Sequence, residues 1–249
     1  MISYYWIYQL QRELTMPKYW GAWRQASCLP DCWCEAPRWT QPIAEPVNAF
    51  SNIAFLIGGL FILRLLLRKD NHPNLITNNK DITYFYAFVM MAMGVGSFLF
   101  HSTVTFVGQW IDVMTMYFST LFYIGYLLWR KYNWQKKKFF LFYFVSNVIL
   151  GLTIYYTPAT RRYLFGITIA ITAFLTLYVR NSVSMKTQMK FLWISLAALG
   201  VAFISWNLDR TKIVCDPTYW INGHAIWHLL CAASAYYYYR YLYSENEVA

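Results

Sequence analysis

Three of the chain's four histidines lie in apolar surroundings. His101 closes the run GVGSFLFH, and His224 and His228 sit in INGHAIWHLL. Asp112 follows the first of them closely, in GQWIDVMTMYF. Ionisable side chains at membrane depth are costly and mark functional sites. His224 and His228 are spaced i, i+4, so on a helix they project from one face a turn apart. Ser97 and His101 share that spacing. Three imidazoles suit zinc, which in catalytic sites keeps three protein ligands and one water. Zinc lowers the pKa of that water toward about 7. Asp112 is then placed to move a proton to a leaving group, and Ser97 to hydrogen-bond a developing oxyanion. An HxxxH pair alone is a weak signal, because two histidines on one helix can simply bond neighbouring carbonyls. The third histidine and the acid strengthen it. Ser97, with Gly94 and Gly96, also reads as a small residue for close helix packing. His72, in the polar stretch RKDNHPNLITNNK, reads as solvated. There is no HExxH, no GxSxG and no phosphate-cradling glycine loop, so a metal site has to be assembled from separate helices.

Composition says what those helices are. The chain has 249 residues, is 58% apolar and only 13% charged, where a soluble domain carries roughly a quarter charged residues. Its many Trp and Tyr suit rings at headgroup level. The expected fold is an all-α integral membrane protein. The net charge of +10 reads as loop charge that sets topology rather than as a nucleic-acid surface. Seven stretches approach the roughly 20 residues that cross a bilayer core: 48–67, 82–105, 109–129, 139–156, 163–179, 189–206 and 219–241. They define a seven-transmembrane-helix domain over 48–243, preceded by a tail of 1–47 and followed by a short tail of 244–249. The N-terminal MISYYWIYQLQREL lacks the continuous apolar core of a cleavable signal, so the first span is expected to serve as the insertion signal.

With the N-terminus outside, the inner segments hold thirteen Lys and Arg and the outer loops four, while the tail adds four more outside. The positive-inside rule thus predicts N-terminus out and C-terminus cytoplasmic. His101 then lies at the outer end of the second helix, Asp112 at the outer start of the third, and His224 and His228 at the outer start of the seventh. Cys28, Cys32, Cys34 and Cys215 fall on that same side, where disulfides persist. A bridge from Cys34 or Cys32 to Cys215 would tie the tail over the site, with Cys28–Cys32 or Cys28–Cys34 as a second. Cys231 reads as a packing residue within the membrane. Asn48 and Asn52 read as residues at the start of a helix, with Asn48 as its N-cap.

The pattern SxxxH on the second helix, an Asp early in the third and HxxxH on the seventh resembles the alkaline ceramidase family. So do the stretches GVGSFLFHSTVTFVGQWIDVMTMY, CDPTYWINGHAIWHLLCA and WCEAPRWTQPIAEPVNAFSN. The family belongs to a superfamily of seven-helix membrane hydrolases and receptors. The resemblance implies zinc on His101, His224 and His228, Ser97 and Asp112 as catalytic partners, and ceramide, a membrane lipid, as substrate. Its amide would be cleaved to a fatty acid and a sphingoid base, in a bacterial plasma membrane or a eukaryotic endomembrane such as ER or Golgi. A lipid receptor of the same superfamily, or a hydrolase of another lipid, is the alternative. Some family members also bind calcium through a pattern like Asp-Trp-x-Glu-x-Asn and a later Glu. Here Trp33, Glu35 and Glu45 match that pattern, but Cys32 stands at the Asp position, with Asp31 one residue earlier, and Pro37 at the Asn position. Without such a site, Glu35 and Glu45 read as solvated or as caps of a short helix.

Overall fold

The computed structural model describes residues 19–30, 32–67, 74–183 and 186–245. His72, Asp31 and the extreme termini lie outside the described residues. The chain folds as α1 (Pro46–Ser51), α2 (Ile53–Leu65), α3 (Lys80–Thr103), α4 (Phe106–Tyr132), α5 (Lys136–Tyr156), α6 (Arg161–Ser182), α7 (Met189–Arg210) and α8 (Gly223–Tyr243), with a 3-10 turn at Pro158–Thr160 before α6. Among the described residues there is no strand, and Gln25 and Thr105 form an isolated bridge. Helices α1 and α2 run on as one segment past Asn52, which makes seven long helical units, as expected.

Six of these are long and apolar enough to cross a membrane, including Pro46–Leu65 and Pro158–Ser182. The seventh, α8, has 21 residues but carries His224, His228, Arg240 and the run Tyr236 to Tyr239, which lower its hydropathy. Tyr238 and Tyr239 face inward. Tyr239 Oη donates to Thr83 Oγ1 at 2.7 Å, and Tyr123 Oη, on α4, donates to the Ala235 carbonyl at 2.9 Å. The polar helix is thus satisfied by its neighbours. The outside of the bundle is apolar: Phe88, Leu141, Val148, Phe174, Trp193 and Ile204 are all exposed. Such a surface suits hydrocarbon and not water, and the chain is a multi-pass membrane protein.

Packing sets where the ends meet. Helix α4 packs against α3, α5 and α6, and α8 packs against α7 and α2. A Cβ added at Gly96 would lie 2.9 Å from Thr115 Cγ2, so the glycine lets α3 and α4 approach where Ser97 and Asp112 face each other. The turn joining these helices is tight. Val104 adopts φ 48°, a left-handed conformation that is strained for a β-branched residue. Its carbonyl accepts from Ala26 N at 3.0 Å, and Phe106 N donates to the Arg24 carbonyl at 2.7 Å. Thr105 caps α4 by accepting from Gly108 N, and Asn222 caps α8 by accepting from Ala225 N at 2.8 Å.

The segment before α1 closes the end of α3. The last carbonyls of a helix lack intrahelical partners; here those of His101 and Ser102 accept from Glu45 N and Ala44 N, both at 2.9 Å. The segment is fastened further by disulfides Cys28–Cys32 and Cys34–Cys215, which select one pairing from those the sequence left open. Asn48 is not an N-cap as expected: it is the third residue of α1, and Glu45 occupies the cap position. The capping side chain is Glu35, whose two carboxylate oxygens accept from Val47 N and Asn48 N at 2.8 Å each. Pro46 at the first helical position, lacking an N–H, leaves these as the next amides in need of acceptors.

Candidate metal centre

His101 occupies the last turn of α3, and His224 and His228 the first two turns of α8. All three are buried. Their ring centroids are 4.9, 5.0 and 4.5 Å apart, and one ligand atom from each lies within 4.8 Å of the others. His101 Nε2 and His224 Nε2 are 3.2 Å apart. Two nitrogens bound tetrahedrally to one zinc at about 2.0–2.1 Å would be separated by roughly 3.3 Å.

Hydrogen bonds set which nitrogens are bare. His101 Nδ1 lies 2.6 Å from Glu45 Oε2, with both side chains fully buried. A proton on Nδ1 directed at this acceptor leaves Nε2 with its lone pair. His228 Nδ1 lies 2.7 Å from Ser51 Oγ. The single Ser51 proton is committed to the Asn48 carbonyl at 2.8 Å, so Ser51 accepts and His228 Nδ1–H donates. That leaves His228 Nε2 bare as well, 3.3 Å from Ser97 Oγ. A ligand histidine characteristically donates its outer N–H to a carboxylate or other acceptor while its inner nitrogen faces the metal.

His224 is held differently. Its backbone N donates to Asp209 Oδ2 at 3.0 Å, and its ring stacks on Trp33 with centroids 3.6 Å apart and planes 16° from parallel. Asp209 is fully buried and also accepts from Cys34 N at 2.9 Å. It thereby joins the N-terminal segment to the start of α8. Burial pushes the Glu45 carboxyl up to about 8; the Asn48 amide opposes this, Asp209 adds to it and Lys212 opposes it. A positive charge held by the three imidazoles would favour its ionised form.

Ser97 and Asp112 complete the cluster. Ser97 is buried, and its hydroxyl hydrogen-bonds the partly buried Asp112 carboxyl, on which the Arg161 guanidinium also acts. Ser97 therefore connects the acid to the histidine cluster. The fit to zinc rests on the donor set: three convergent imidazoles, two of them with bare inner nitrogens fixed by buried acceptors. The calcium donor set fits poorly. Glu35 spends both oxygens on the α1 amides, and Glu45 has Oε2 on His101 and only Oε1 without a partner. The Trp33 carbonyl accepts from Lys212 Nζ, and Cys32 is in a disulfide.

Three residues of this site escape sequence reasoning. Ser51, Asp209 and Lys212 each act on a partner more than 150 residues away, and only Asp209, an acid ending an apolar helix, carries a local signal.

Comparison with known proteins identifies the family. The ceramidase family model matches residues 31–246. The chain is 27% identical to dcd3B of Dictyostelium discoideum, named as a candidate alkaline ceramidase, over 88% of this chain and 86% of that one. It is 26% identical to human alkaline ceramidase 1 over 80% of this chain and 75% of that protein. The mouse alkaline ceramidase 1 is 27% identical over 80% and 73%. A match that takes in the N-terminal segment, all three histidines and every helix between them places this chain in the ceramidase family.

Proposed function

We propose that the protein is a zinc-dependent amidase that hydrolyses ceramide within the membrane. The observation that supports this most is the convergence of three buried histidines with Glu45 and Ser51 accepting from the outer nitrogens of two of them. His101, His224 and His228 would hold the ion. Bound there, zinc supplies a water acidic enough to lose a proton near neutral pH and draws electron density from the amide carbonyl.

The chain's own groups do the rest. Asp112 takes the proton from the attacking water as the C–O bond forms, and then returns it to the leaving nitrogen as the C–N bond breaks. Ser97 hydrogen-bonds the oxygen on which negative charge grows, and its contact with Asp112 keeps the acid oriented between steps. The N-terminal segment, with Trp33 against His224, covers the site and restricts bulk water. The disulfides support placing this face on the extracytoplasmic or luminal side, with the loops richer in Lys and Arg in the cytoplasm.

Metal analysis coupled to a lipid panel tests the reading. Purified protein should carry about one zinc and release fatty acid from N-acyl sphingoid bases. His224→Ala should lose both properties. Full ceramide turnover by that variant would refute the mechanism, release from ester lipids alone would identify a different hydrolase, and zinc without any product would point to a receptor.

A further inference from the structure

Beside the histidines lies a group of carboxylates that take no part in the proton transfers. Glu35, Glu45 and Asp209 are all buried, and they come from the N-terminal segment and the end of α7. Burial raises the Glu35 and Glu45 carboxyls, and the neighbouring acid adds to each shift, Glu45 at Glu35 and Asp209 at Glu45. Buried acids crowded together need a positive charge among them. Lys212 is the cation that acts on both Glu45 and Asp209.

Its placement is specific. Lys212 follows α7 directly and adopts φ 58°, an uncommon conformation for a residue with a side chain. Its backbone N donates to the Asp209 carbonyl at 3.0 Å, which closes the turn. From there its half-buried side chain reaches across to donate from Nζ to the Trp33 carbonyl. That carbonyl belongs to the residue stacked on His224. The ammonium thus sits among Trp33 and two acids, between the N-terminal segment and the loop that leads to α8.

The family's calcium pattern falls on the same segment, at Trp33, Glu35 and Glu45. Calcium takes six or more oxygen ligands. Here the Trp33 carbonyl is occupied by an ammonium, the Asp position is Cys32 in a disulfide, and the Asn position is Pro37, which has no side-chain donor. We propose that the Lys212 ammonium is a built-in cation that takes the place of calcium, so that this chain holds its N-terminal segment over the histidines without binding calcium. The inference rests on family membership and not on the ceramide reaction.

The test uses the full-length protein in detergent. Equilibrium dialysis against radioactive calcium should give no saturable binding, and the unfolding midpoint should be the same in calcium and in EGTA. Lys212→Gln, which keeps a donor for Trp33 but removes the charge, should lower that midpoint by at least about 3 °C. Lys212→Arg should restore most of the loss. Saturable calcium binding by the wild-type protein, or a midpoint that falls in EGTA, overturns the proposal. So does a Lys212→Gln protein as stable as wild type, which would make the charge irrelevant. If Lys212→Gln does not fold while Lys212→Arg does, the charge requirement stands, and the wild-type dialysis still decides on calcium. None of these readouts depends on ceramide turnover.

Discussion

Glu45→Gln isolates the contribution of one buried charge to metal binding. The glutamate and His101 Nδ1 are 2.6 Å apart with no solvent access to either side chain. Glutamine has the same shape and still offers a carbonyl oxygen, so the ring orientation and its tautomer survive while the charge is lost. A hydrogen bond to a charged group contributes about 1.5–3 kcal/mol and a neutral one about 0.5–1.5. The difference is about 1–1.5 kcal/mol, or roughly tenfold in zinc affinity. Glu45→Ala goes further, since it leaves the His101 Nδ1–H buried without an acceptor and frees the ring to turn. Its loss should approach about 100-fold, the upper end for removing an outer-shell partner. Zinc affinity is read by competition with a chelating dye at fixed pH, with unfolding midpoints measured alongside to confirm that both variants are folded. The reasoning fails if Glu45→Gln keeps zinc within about twofold of wild type, or if Glu45→Ala binds no more weakly than Glu45→Gln.

Three further outcomes are expected. At Gly223 an added Cβ would lie 2.6 Å from the Ser205 carbonyl oxygen and 2.8 Å from Asp209 Cβ, so Gly223→Ala should cost about 1–3 kcal/mol by overpacking and loosen zinc by displacing His224. Gly200→Ala, with nothing within 4 Å, should not destabilise, and equal unfolding midpoints for the two variants would contradict this. Cys34→Ser and Cys215→Ser should lower the midpoint equally, the double variant no further, and Cys28→Ser less, because the Cys34–Cys215 bridge closes the far longer loop; additive losses for Cys34 and Cys215 would disprove their pairing. Burial raises the Glu35 carboxyl above its ordinary 4.5, so the folded state holds this proton more tightly than the unfolded chain, and stability falls as pH rises from about 4.5 through the raised value. Glu35→Gln removes that slope, so the midpoint of wild type relative to the variant should drop over this window, and a relative rise would reverse the assignment.

What could be read from the chain divides by distance. His101, His224 and His228 were legible because an imidazole in an apolar run is conspicuous, and helical spacing with loop charge brought them to one depth. The spans were legible for the same reason, even α8, whose tyrosines lower its hydropathy. The second layer of the site was not. Glu45 was read as a calcium candidate or a solvated cap because nothing local reveals that its acceptor oxygen meets His101. Ser51 looks like an ordinary polar residue at a helix end, and Asp209 stands out only as an acid ending an apolar helix, until α8 is laid beside them. Asn48 was misread as a cap because a favourable cap residue stood near a helix start, whereas Glu35, from a loop a dozen residues earlier, satisfies those amides. The cysteines narrowed the pairings, but a choice among Cys28, Cys32 and Cys34 depends on a fold that spacing does not contain.

The contacts that close the metal centre join the beginning of the chain to its end: Ser51 to His228, Cys34 to Asp209 and Cys34 to Cys215. Synthesis runs from the N-terminus, and a nascent membrane protein inserts its helices in that order. A chain that has emerged only as far as α7 possesses Ser97, His101 and Asp112 but a single one of the three ligand imidazoles. It also lacks Cys215, so its N-terminal segment is held by hydrogen bonds but not yet by the Cys34–Cys215 bridge. On the proposed reading, the three-histidine site is therefore complete only once α8 is in place. On that reading, an unfinished or truncated molecule, however well inserted, is expected to leave the lipids around it intact.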